Sequence, residues 1–213
     1  MFEDRVDAGK QLAKALKHYR NQDVVVLALP RGGVPVAVEI ARELSAPLDV
    51  LIVRKVGVPY RPELAMGAVM SGSHMITVRN DDVIRSYGIS NEEFQNECTR
   101  EMEEIDRRRR RYFGERVSID IVGRTVILVD DGVATGATVR AAILGLKEAG
   151  AHKIVLAVPV GASETIEELR QDVDDVVCLE EPVALEAIGA HYGDFSQLTD
   201  HEMLELISSR RLA

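Results

Sequence analysis

The chain has 213 residues, 46 % of them hydrophobic and 29 % charged, a balance typical of one α/β domain with at most a small accessory piece. Its formal net charge of −9 at pH 7 argues against non-specific binding to DNA, RNA or anionic membranes. Two cysteines are too few for a disulfide framework or a zinc cluster. The first residues lack the basic and apolar regions of a signal peptide, and no apolar run could span a membrane. We therefore expect a cytoplasmic enzyme or regulator.

Apolar runs alternate with helical patterns along the chain. The predicted strands cover residues 24–29, 49–53, 125–129, 153–158 and 175–179, and the predicted helices cover 3–19, 34–44, 91–112 and 138–149. Strands that are apolar on both sides and alternate with helices indicate a parallel sheet covered on both faces. We predict an α/β fold with a doubly wound, mainly parallel five-stranded sheet. Residues 60–78, interrupted by Pro and Gly, read as a loop with a weak hairpin.

Ligands in such sheets bind beyond the carboxyl ends of the strands. The strongest candidate there is the segment 126–138, in which an apolar strand is followed by Asp130 and Asp131, a loop of small residues, and a helix that begins near Thr138. Small residues and the free N–H groups of a helix start suit a phosphate. Adjacent carboxylates suit the hydroxyls of a ribose, so the segment predicts a ribose 5-phosphate site.

This segment resembles the phosphoribosyl diphosphate-binding motif of type I phosphoribosyltransferases, namely an apolar strand, two acids and a loop that ends Thr-Gly-x-Thr. The resemblance implies that Asp130 and Asp131 hold the ribose hydroxyls and contact Mg²⁺ mostly through substrate and water. It also implies that the following loop binds the substrate, with Ala134 to Thr138 around the 5-phosphate. The loop residues are Gly132, Val133, Ala134, Thr135, Gly136, Ala137 and Thr138.

One position departs from part of the family. Ala134 stands where the members that act on 6-oxopurines carry an acid proposed as general base, so that subgroup is disfavoured. The rest of the resemblance extends over most of the chain and ends in Tyr192-Gly193-Asp194-Phe195. It implies one phosphoribosyltransferase-like domain over residues 1–213, with a flexible loop or hairpin, a helical insertion at about 80–115, and a small helical hood from about 180–213.

Pro30-Arg31-Gly32-Gly33 is the second candidate site. Two glycines before a helix allow the backbone close to an anion, and Arg31 adds a permanent charge with forked donors. The residues alone fit a turn with a surface arginine equally well. The resemblance assigns Arg31, Gly32 and Gly33 to a pyrophosphate loop, and we predict a cis peptide bond between Pro30 and Arg31.

Arg54 and Lys55 form the third candidate site, because they close the second predicted strand with two cations. The resemblance assigns both residues to the diphosphate and residues 56–67 to a mobile loop that covers the site. Tyr60, Arg61 and Glu63 are candidate contributors from that loop. The five-arginine run 107–111 lies among acids and is interpreted as a salt-bridged, solvated helix face.

Two functions of different classes remain. The first is a Mg²⁺-dependent transferase that moves phosphoribosyl from phosphoribosyl diphosphate to a small nitrogenous acceptor, with Arg31, Lys55, Asp130 and Asp131 as catalytic residues. The second is a non-catalytic regulator that senses phosphoribosyl diphosphate or a nucleotide. A weaker third is hydrolysis or another reaction of a different ribose 5-phosphate compound. We expect no nucleic-acid or membrane partner, and the oligomeric state stays open, with a homodimer as one option.

Overall fold

The structure is a computed structural model that describes residues 1–72, 75–114 and 118–209. Residues 115 and 210–213 of the predicted insertion and hood therefore lie outside the described residues. In chain order the helices and strands are α1 (Arg5–Ala15), β1 (Val24–Ala28), α2 (Gly33–Leu44), β2 (Leu48–Val50), β3 (Val53–Val58), β4 (Arg61–Met70), β5 (Ile76–Arg79), α3 (Asp81–Ser86), α4 (Asn91–Phe113), β6 (Thr125–Val129), α5 (Ala137–Glu148), β7 (Lys153–Val160), α6 (Ser163–Arg170), β8 (Asp175–Glu180) and α7 (Asp200–Ser209).

The chain divides into two compact units. The first contains Met1–Val50, Ile121–Gly136 and the chain from Ala151 onward, and the second contains Leu51–Asp120 and Ala137–Gly150. No helix of the described residues is long and apolar enough to cross a membrane.

The first unit is built on a five-stranded parallel sheet with the order β2-β1-β6-β7-β8. Val26 of β1 pairs with Leu48 on one side and Ile127 on the other, which fixes the register at its centre. All five residues of β1 are buried, as expected for a strand covered on both faces. The predicted fold class is confirmed, and the five predicted strands are the five strands of this sheet.

Helices α1 and α2 of the first unit pack closely against each other. A Cβ placed on Gly9 would lie 2.8 Å from the carbonyl oxygen of Val36, so a larger residue would push the two helices apart. The buried residues of α2 include Val36, Ile40 and Leu44, at spacings that form one face of a helix. This packing fixes α2, and with it the turn that precedes it at Gly32.

The second unit contains a three-stranded antiparallel sheet with the order β3-β4-β5. The predicted loop with a weak hairpin is therefore a hairpin joined to a third strand, and β4 runs unbroken over ten residues. Pro62 and Gly67 made this stretch read as a loop. Gly67 is required by packing, because a Cβ there would lie 2.4 Å from the carbonyl oxygen of Val78 on β5.

The long helix α4 covers this sheet with one apolar face. It begins at a capping box in which the Ser90 hydroxyl accepts from the backbone of Glu93 and the Glu93 carboxylate accepts from the backbone of Ser90. Phe94, Cys98 and Ile105 are buried, at spacings that place them on one face of the helix.

Candidate active site

The two adjacent acids lie directly beyond the carboxyl end of β6, in the first unit. The backbone N–H of Asp131 donates to Oδ1 of Asp130 at 2.9 Å, which fixes the first side chain against the second residue. Asp130 is only partly exposed, and burial, followed by the neighbouring charge of Asp131, raises the pKa of Asp130 well above its ordinary value. The two acids therefore lie together at the sheet edge, and their proximity disfavours ionisation of Asp130.

The Arg31-Gly32-Gly33 turn lies immediately beside these acids. A Cβ on Gly32 would stand 1.9 Å from Oδ2 of Asp131, and a Cβ on Gly33 would stand 2.6 Å from the carbonyl oxygen of Val129. The backbone angles of Gly32 are those of an ordinary right-handed helix and do not require glycine. Glycine is needed at both positions because neighbouring atoms leave no room for a Cβ. The Pro30–Arg31 peptide bond is cis, as predicted. Two segments that are far apart in sequence meet here.

The side chain of Arg5 holds Asp131, and sequence reasoning missed it. Its Nε donates to Oδ2 of Asp131 at 2.7 Å, and its Nη1 donates to the carbonyl oxygen of Ser196 at 2.9 Å. The guanidinium carbon lies 3.9 Å from the centre of the Phe195 ring. The side chains of Arg5 and Asp131 are only 11 % and 14 % exposed. No local motif marks a single arginine at the start of a helix, so only the fold could reveal this contact.

The Tyr192-Gly193-Asp194-Phe195 segment packs against the same acid. The Tyr192 hydroxyl donates to the backbone oxygen of Asp131 at 2.6 Å, and burial raises the pKa of that hydroxyl. The Tyr192 ring lies 5.4 Å from the Phe2 ring and 4.9 Å from the Phe195 ring, measured between centroids. Backbone bonds from Gly193 to Phe2 and from Asp194 to Glu3 join this segment to the N-terminal residues. Together these contacts hold the backbone of Asp131 in place.

The loop that follows the acids is anchored at its start and open further on. Val133 donates to the carbonyl oxygen of Val160 and accepts from Ala162, each at 2.9 Å, and the Thr165 hydroxyl donates to the carbonyl oxygen of Ala134 at 2.7 Å. Ala134 and Thr135 are exposed. The loop ends at Gly136, whose φ of +71° favours glycine.

Helix α5 follows this loop directly. Ala137 and Thr138 form its exposed first residues, and the first N–H groups of a helix have no partner within it. Ala137 and Thr138 belong to the second unit, whereas Gly132 to Gly136 belong to the first. A small-residue loop that runs into exposed helical N–H groups is a feature able to bind a phosphate.

Arg31 forms a weak ion pair with Asp200 of α7. Its Nη1 lies 3.7 Å from Oδ1 of Asp200, and the Arg31 side chain is 38 % exposed. Such a pair is worth about 0–1 kcal/mol, whereas removing one partner of a buried pair such as Arg5 and Asp131 costs about 3–5 kcal/mol. An anionic ligand therefore competes readily for Arg31 and poorly for Arg5.

Arg54 and Lys55 lie in the second unit. Their predicted position at the end of a parallel strand is wrong, because β2 ends at Val50 and both cations belong to the antiparallel strand β3. The run of apolar residues through Leu51 and Ile52 hid this change of sheet. Arg54 pairs with Glu101 of α4.

A cavity of about 790 Å³ borders these two cations within the second unit. Its lining residues come from β3, the following turn, the start of β4 and one stretch of α4, and they are Val53, Arg54, Lys55, Gly57, Val58, Pro59, Pro62, Glu97, Arg100, Glu101 and Glu104. Lys55 Nζ makes a long hydrogen bond of 3.3 Å to the backbone oxygen of Glu63, and Tyr60 at the turn is 83 % exposed. Arg61 lies over the Tyr87 ring at 5.7 Å. Lys55 is thus held loosely beside this cavity, and Arg54 is held by an acid.

Two arginines of the run on α4 form ion pairs. Arg107 and Arg108 both donate to Glu104, and these bonds hold the pKa of Glu104 at about 2. For these two residues the predicted salt-bridged helix face is confirmed.

The acids at β6 fit a magnesium ion only if other oxygens complete its shell. Among the described residues, no group of three or more His, Cys, Asp or Glu side chains could hold a metal. Asp131 already accepts from Arg5 through Oδ2, which leaves a small number of carboxylate oxygens. Mg²⁺ commonly binds in this way, through one or two carboxylates together with substrate phosphates and water.

Comparison with known proteins identifies the family. Proteins from two strains of Mycobacterium tuberculosis, provisionally named phosphoribosyl transferase, are 44 % identical over 207 residues, or 97 % of this chain. The chain spans about half the length of these curated relatives, 46 % of each. The crystal structure of TT1426 from Thermus thermophilus is similar over 98 % of both chains, with 38 % identity and a TM-score of 0.84. The phosphoribosyl transferase domain family matches residues 4–193, and the chain belongs to that family.

Proposed function

We propose that this protein transfers the phosphoribosyl group of phosphoribosyl diphosphate to a small nitrogenous acceptor and releases pyrophosphate. The observation that carries the proposal is the acid pair Asp130 and Asp131, which lies between the Arg31-Gly32-Gly33 turn and an open small-residue loop. A ribose diol, a 5-phosphate and a diphosphate call for these three kinds of group: carboxylates, backbone N–H groups at a helix start and a cation. Family membership supports the same reaction.

In the proposed reaction the bond between C1 of the ribose and the diphosphate oxygen breaks, and a bond from C1 to the acceptor nitrogen forms. Both electrons of the broken bond leave with pyrophosphate, and the acceptor nitrogen loses its proton to a base or to water. Asp130 and Asp131 accept hydrogen bonds from the ribose hydroxyls and hold the ring in place. Residues 134–138 hold the 5-phosphate through backbone N–H groups and the hydroxyls of Thr135 and Thr138.

The charge that develops on the diphosphate needs stabilisation from cations. Arg31 supplies one, since its weak pair with Asp200 gives way to a stronger anion. The proposal assigns Arg54 and Lys55 to the same charge. When bound, Mg²⁺ neutralises diphosphate oxygens, and Asp130 and Asp131 would hold it mostly through substrate and water.

The proposal treats residues 1–213 as one phosphoribosyltransferase-like domain, with residues 80–115 as an insertion and residues 180–213 as a hood. It also assigns the protein to the cytoplasm, without a nucleic-acid or membrane partner, in keeping with its net charge of −9. Ala134 favours acceptors other than 6-oxopurines.

The test is a pyrophosphate-release screen of the purified protein with phosphoribosyl diphosphate, Mg²⁺ and a panel of nitrogenous bases. Release that depends on one base supports the transferase and names its acceptor. Release without any base indicates hydrolysis. Tight binding of phosphoribosyl diphosphate without release contradicts the transferase and favours a sensor, and absence of both binding and release contradicts the proposed ligand.

A further inference from the structure

Arg5 makes three contacts with groups that are distant in sequence. Nε binds Oδ2 of Asp131, Nη1 binds the backbone oxygen of Ser196, and the guanidinium carbon approaches the centre of the Phe195 ring within 3.9 Å. The fork and plane of an arginine are satisfied together in a way that a lysine could not reproduce. Such a set of contacts fixes the direction in which the guanidinium points.

The acid that it binds needs an external restraint. Rotation of an aspartate carboxylate about its last bond is broad, so the backbone alone leaves its oxygens poorly oriented. Here Oδ2 of Asp131 faces Arg5, and the carboxylate lies so close over Gly32 that a Cβ there would stand 1.9 Å from Oδ2 and 2.9 Å from Oδ1. The contact with Arg5 and the contact with Gly32 together leave the carboxylate one orientation.

The charge of Arg5 has a second effect on the site. Asp130 and Asp131 are adjacent carboxylates, and like charges at this separation repel each other. A cation held at 2.7 Å from one of them offsets that repulsion without taking any acceptor atom of Asp130.

We propose that Arg5 is a positioning residue for ribose recognition, which fixes the carboxylate of Asp131 so that its remaining acceptor capacity faces the ribose hydroxyls of phosphoribosyl diphosphate. This inference rests on the proposed function, because it concerns the same ligand. Phe195 and Ser196 contact the guanidinium of Arg5 and hold it in the orientation in which it binds Asp131. Arg5 acts through Asp131 and needs no contact with the substrate.

The experiment measures the affinity of the full chain for two probes by isothermal titration calorimetry, phosphoribosyl diphosphate and inorganic pyrophosphate, each with Mg²⁺. Arg5→Gln is expected to weaken the binding of phosphoribosyl diphosphate on the order of 10- to 100-fold, because the carboxylate of Asp131 would no longer be held in place. The affinity for pyrophosphate, which has no ribose, should stay within about twofold of wild type. A variant that has merely lost structure would lose both ligands, so equal losses would overturn the inference.

Three further variants sharpen the result. Arg42→Gln is the matched control, because it removes an arginine of the same unit whose side chain is 61 % exposed and pairs with Glu39, and it should bind both probes as wild type does. Arg5→Lys keeps the charge without the fork and should still bind phosphoribosyl diphosphate more weakly than wild type. Phe195→Leu, for use if Arg5→Gln does not fold, should weaken phosphoribosyl diphosphate but not pyrophosphate. Wild-type affinity in Arg5→Lys or Phe195→Leu would overturn the inference.

A double-mutant cycle tests whether Arg5 acts through Asp131. The double variant Arg5→Gln with Asp131→Asn should bind phosphoribosyl diphosphate as tightly as Asp131→Asn alone. The reason is that the carboxylate that Arg5 holds is already absent in Asp131→Asn. Additive losses would overturn the inference. Failure of the wild-type protein to bind phosphoribosyl diphosphate would instead contradict the proposed function, and the inference with it, whereas wild-type affinity in Arg5→Gln would contradict the inference alone.

Discussion

The acid loop after β6 and the cationic strand β3 are organised in opposite ways. In the acid loop, backbone and small residues meet so closely that Gly32 admits no Cβ, and Asp131 is held by a mostly buried arginine. In the cationic strand, Arg54 meets an acid on a neighbouring helix and Lys55 makes one long bond. The first region depends on shape as well as charge, and the second on charge alone. Substitutions in the acid loop should therefore weaken ligand binding even when they preserve charge. Changes of charge in the cationic strand should weaken ligand binding only moderately.

The largest effect is expected for Asp130→Asn combined with Asp131→Asn. Loss of both charges should abolish detectable binding of phosphoribosyl diphosphate, a loss of about 3 kcal/mol or more, because charge-assisted bonds are the strong ones. Calorimetry measures the binding, and circular dichroism verifies the fold. The matched control is Asp81→Asn with Asp82→Asn, another adjacent pair, which is exposed at 61 % and 90 %. Equal affinities in the two double variants would remove the acids at β6 from the site.

The next effect concerns shape alone. Gly32→Ala fits the backbone angles of that residue, φ −61° and ψ −34°, but its methyl group would collide with the carboxylate of Asp131. We expect affinity for phosphoribosyl diphosphate to fall on the order of 100-fold, with a smaller fall in melting temperature than a clash against the backbone would cause, since a side chain moves more easily than the backbone.

Gly33→Ala provides the contrast. Its methyl group would meet the backbone oxygen of Val129 at 2.6 Å, so the fold itself should lose about 1–3 kcal/mol. Thermal unfolding of both variants separates the two cases. An unchanged affinity in Gly32→Ala would show that the carboxylate position does not matter for binding.

A smaller effect is expected in the cationic strand. Arg54→Gln should weaken binding of phosphoribosyl diphosphate by roughly 10-fold, the effect of one charge-assisted contact. Glu101→Gln removes the acid that holds Arg54 and should not weaken binding at all. Because this pair is partly exposed, either change should alter the free energy of unfolding by only about 1 kcal/mol. Weaker binding in Glu101→Gln than in Arg54→Gln would mean that Arg54 serves the structure and not the ligand.

A last prediction concerns stability and not binding, and it compares the reactivity of the cysteine thiols in the two units. Burial raises the pKa of Cys98 in the second unit to about 11, and burial followed by the charge of Glu181 raises the pKa of Cys178 in the first unit to about 12. At pH 8 fewer than about one thiol in a thousand is then ionised, so iodoacetamide should label folded protein at least ~100-fold more slowly than urea-unfolded protein. Fast labelling of one cysteine in its native unit would show that this unit opens readily.

Local sequence signals predicted the parallel sheet and the acid loop well. Each strand of that sheet is a short apolar run, and Asp130 to Thr138 form a contiguous motif, so neighbouring residues carry all the information. The same holds for Gly32 and Gly33. The sequence could not show, however, that the carboxylate of Asp131 is the group that occupies the space beside Gly32.

Local sequence signals could not predict features that depend on residues distant in sequence or on the passage of the chain from one sheet to another. Arg5 meets Asp131 across 126 positions, and nothing near Arg5 distinguishes it from a surface arginine. Leu51 and Ile52 are as buried as strand residues, so the apolar run through them hid the boundary between two sheets. Pro62 suggested a break, yet it lies near the start of an antiparallel strand, a position where proline is tolerated.

The central claim is that Asp130 to Thr138 hold the ribose 5-phosphate of phosphoribosyl diphosphate. A crystal structure of the protein soaked with that ligand and Mg²⁺ tests it most directly. The account predicts the ribose hydroxyls within hydrogen-bond distance of the two carboxylates and the 5-phosphate at the backbone N–H groups of residues 134–138. A ligand bound elsewhere, with the loop after β6 left empty, would contradict it.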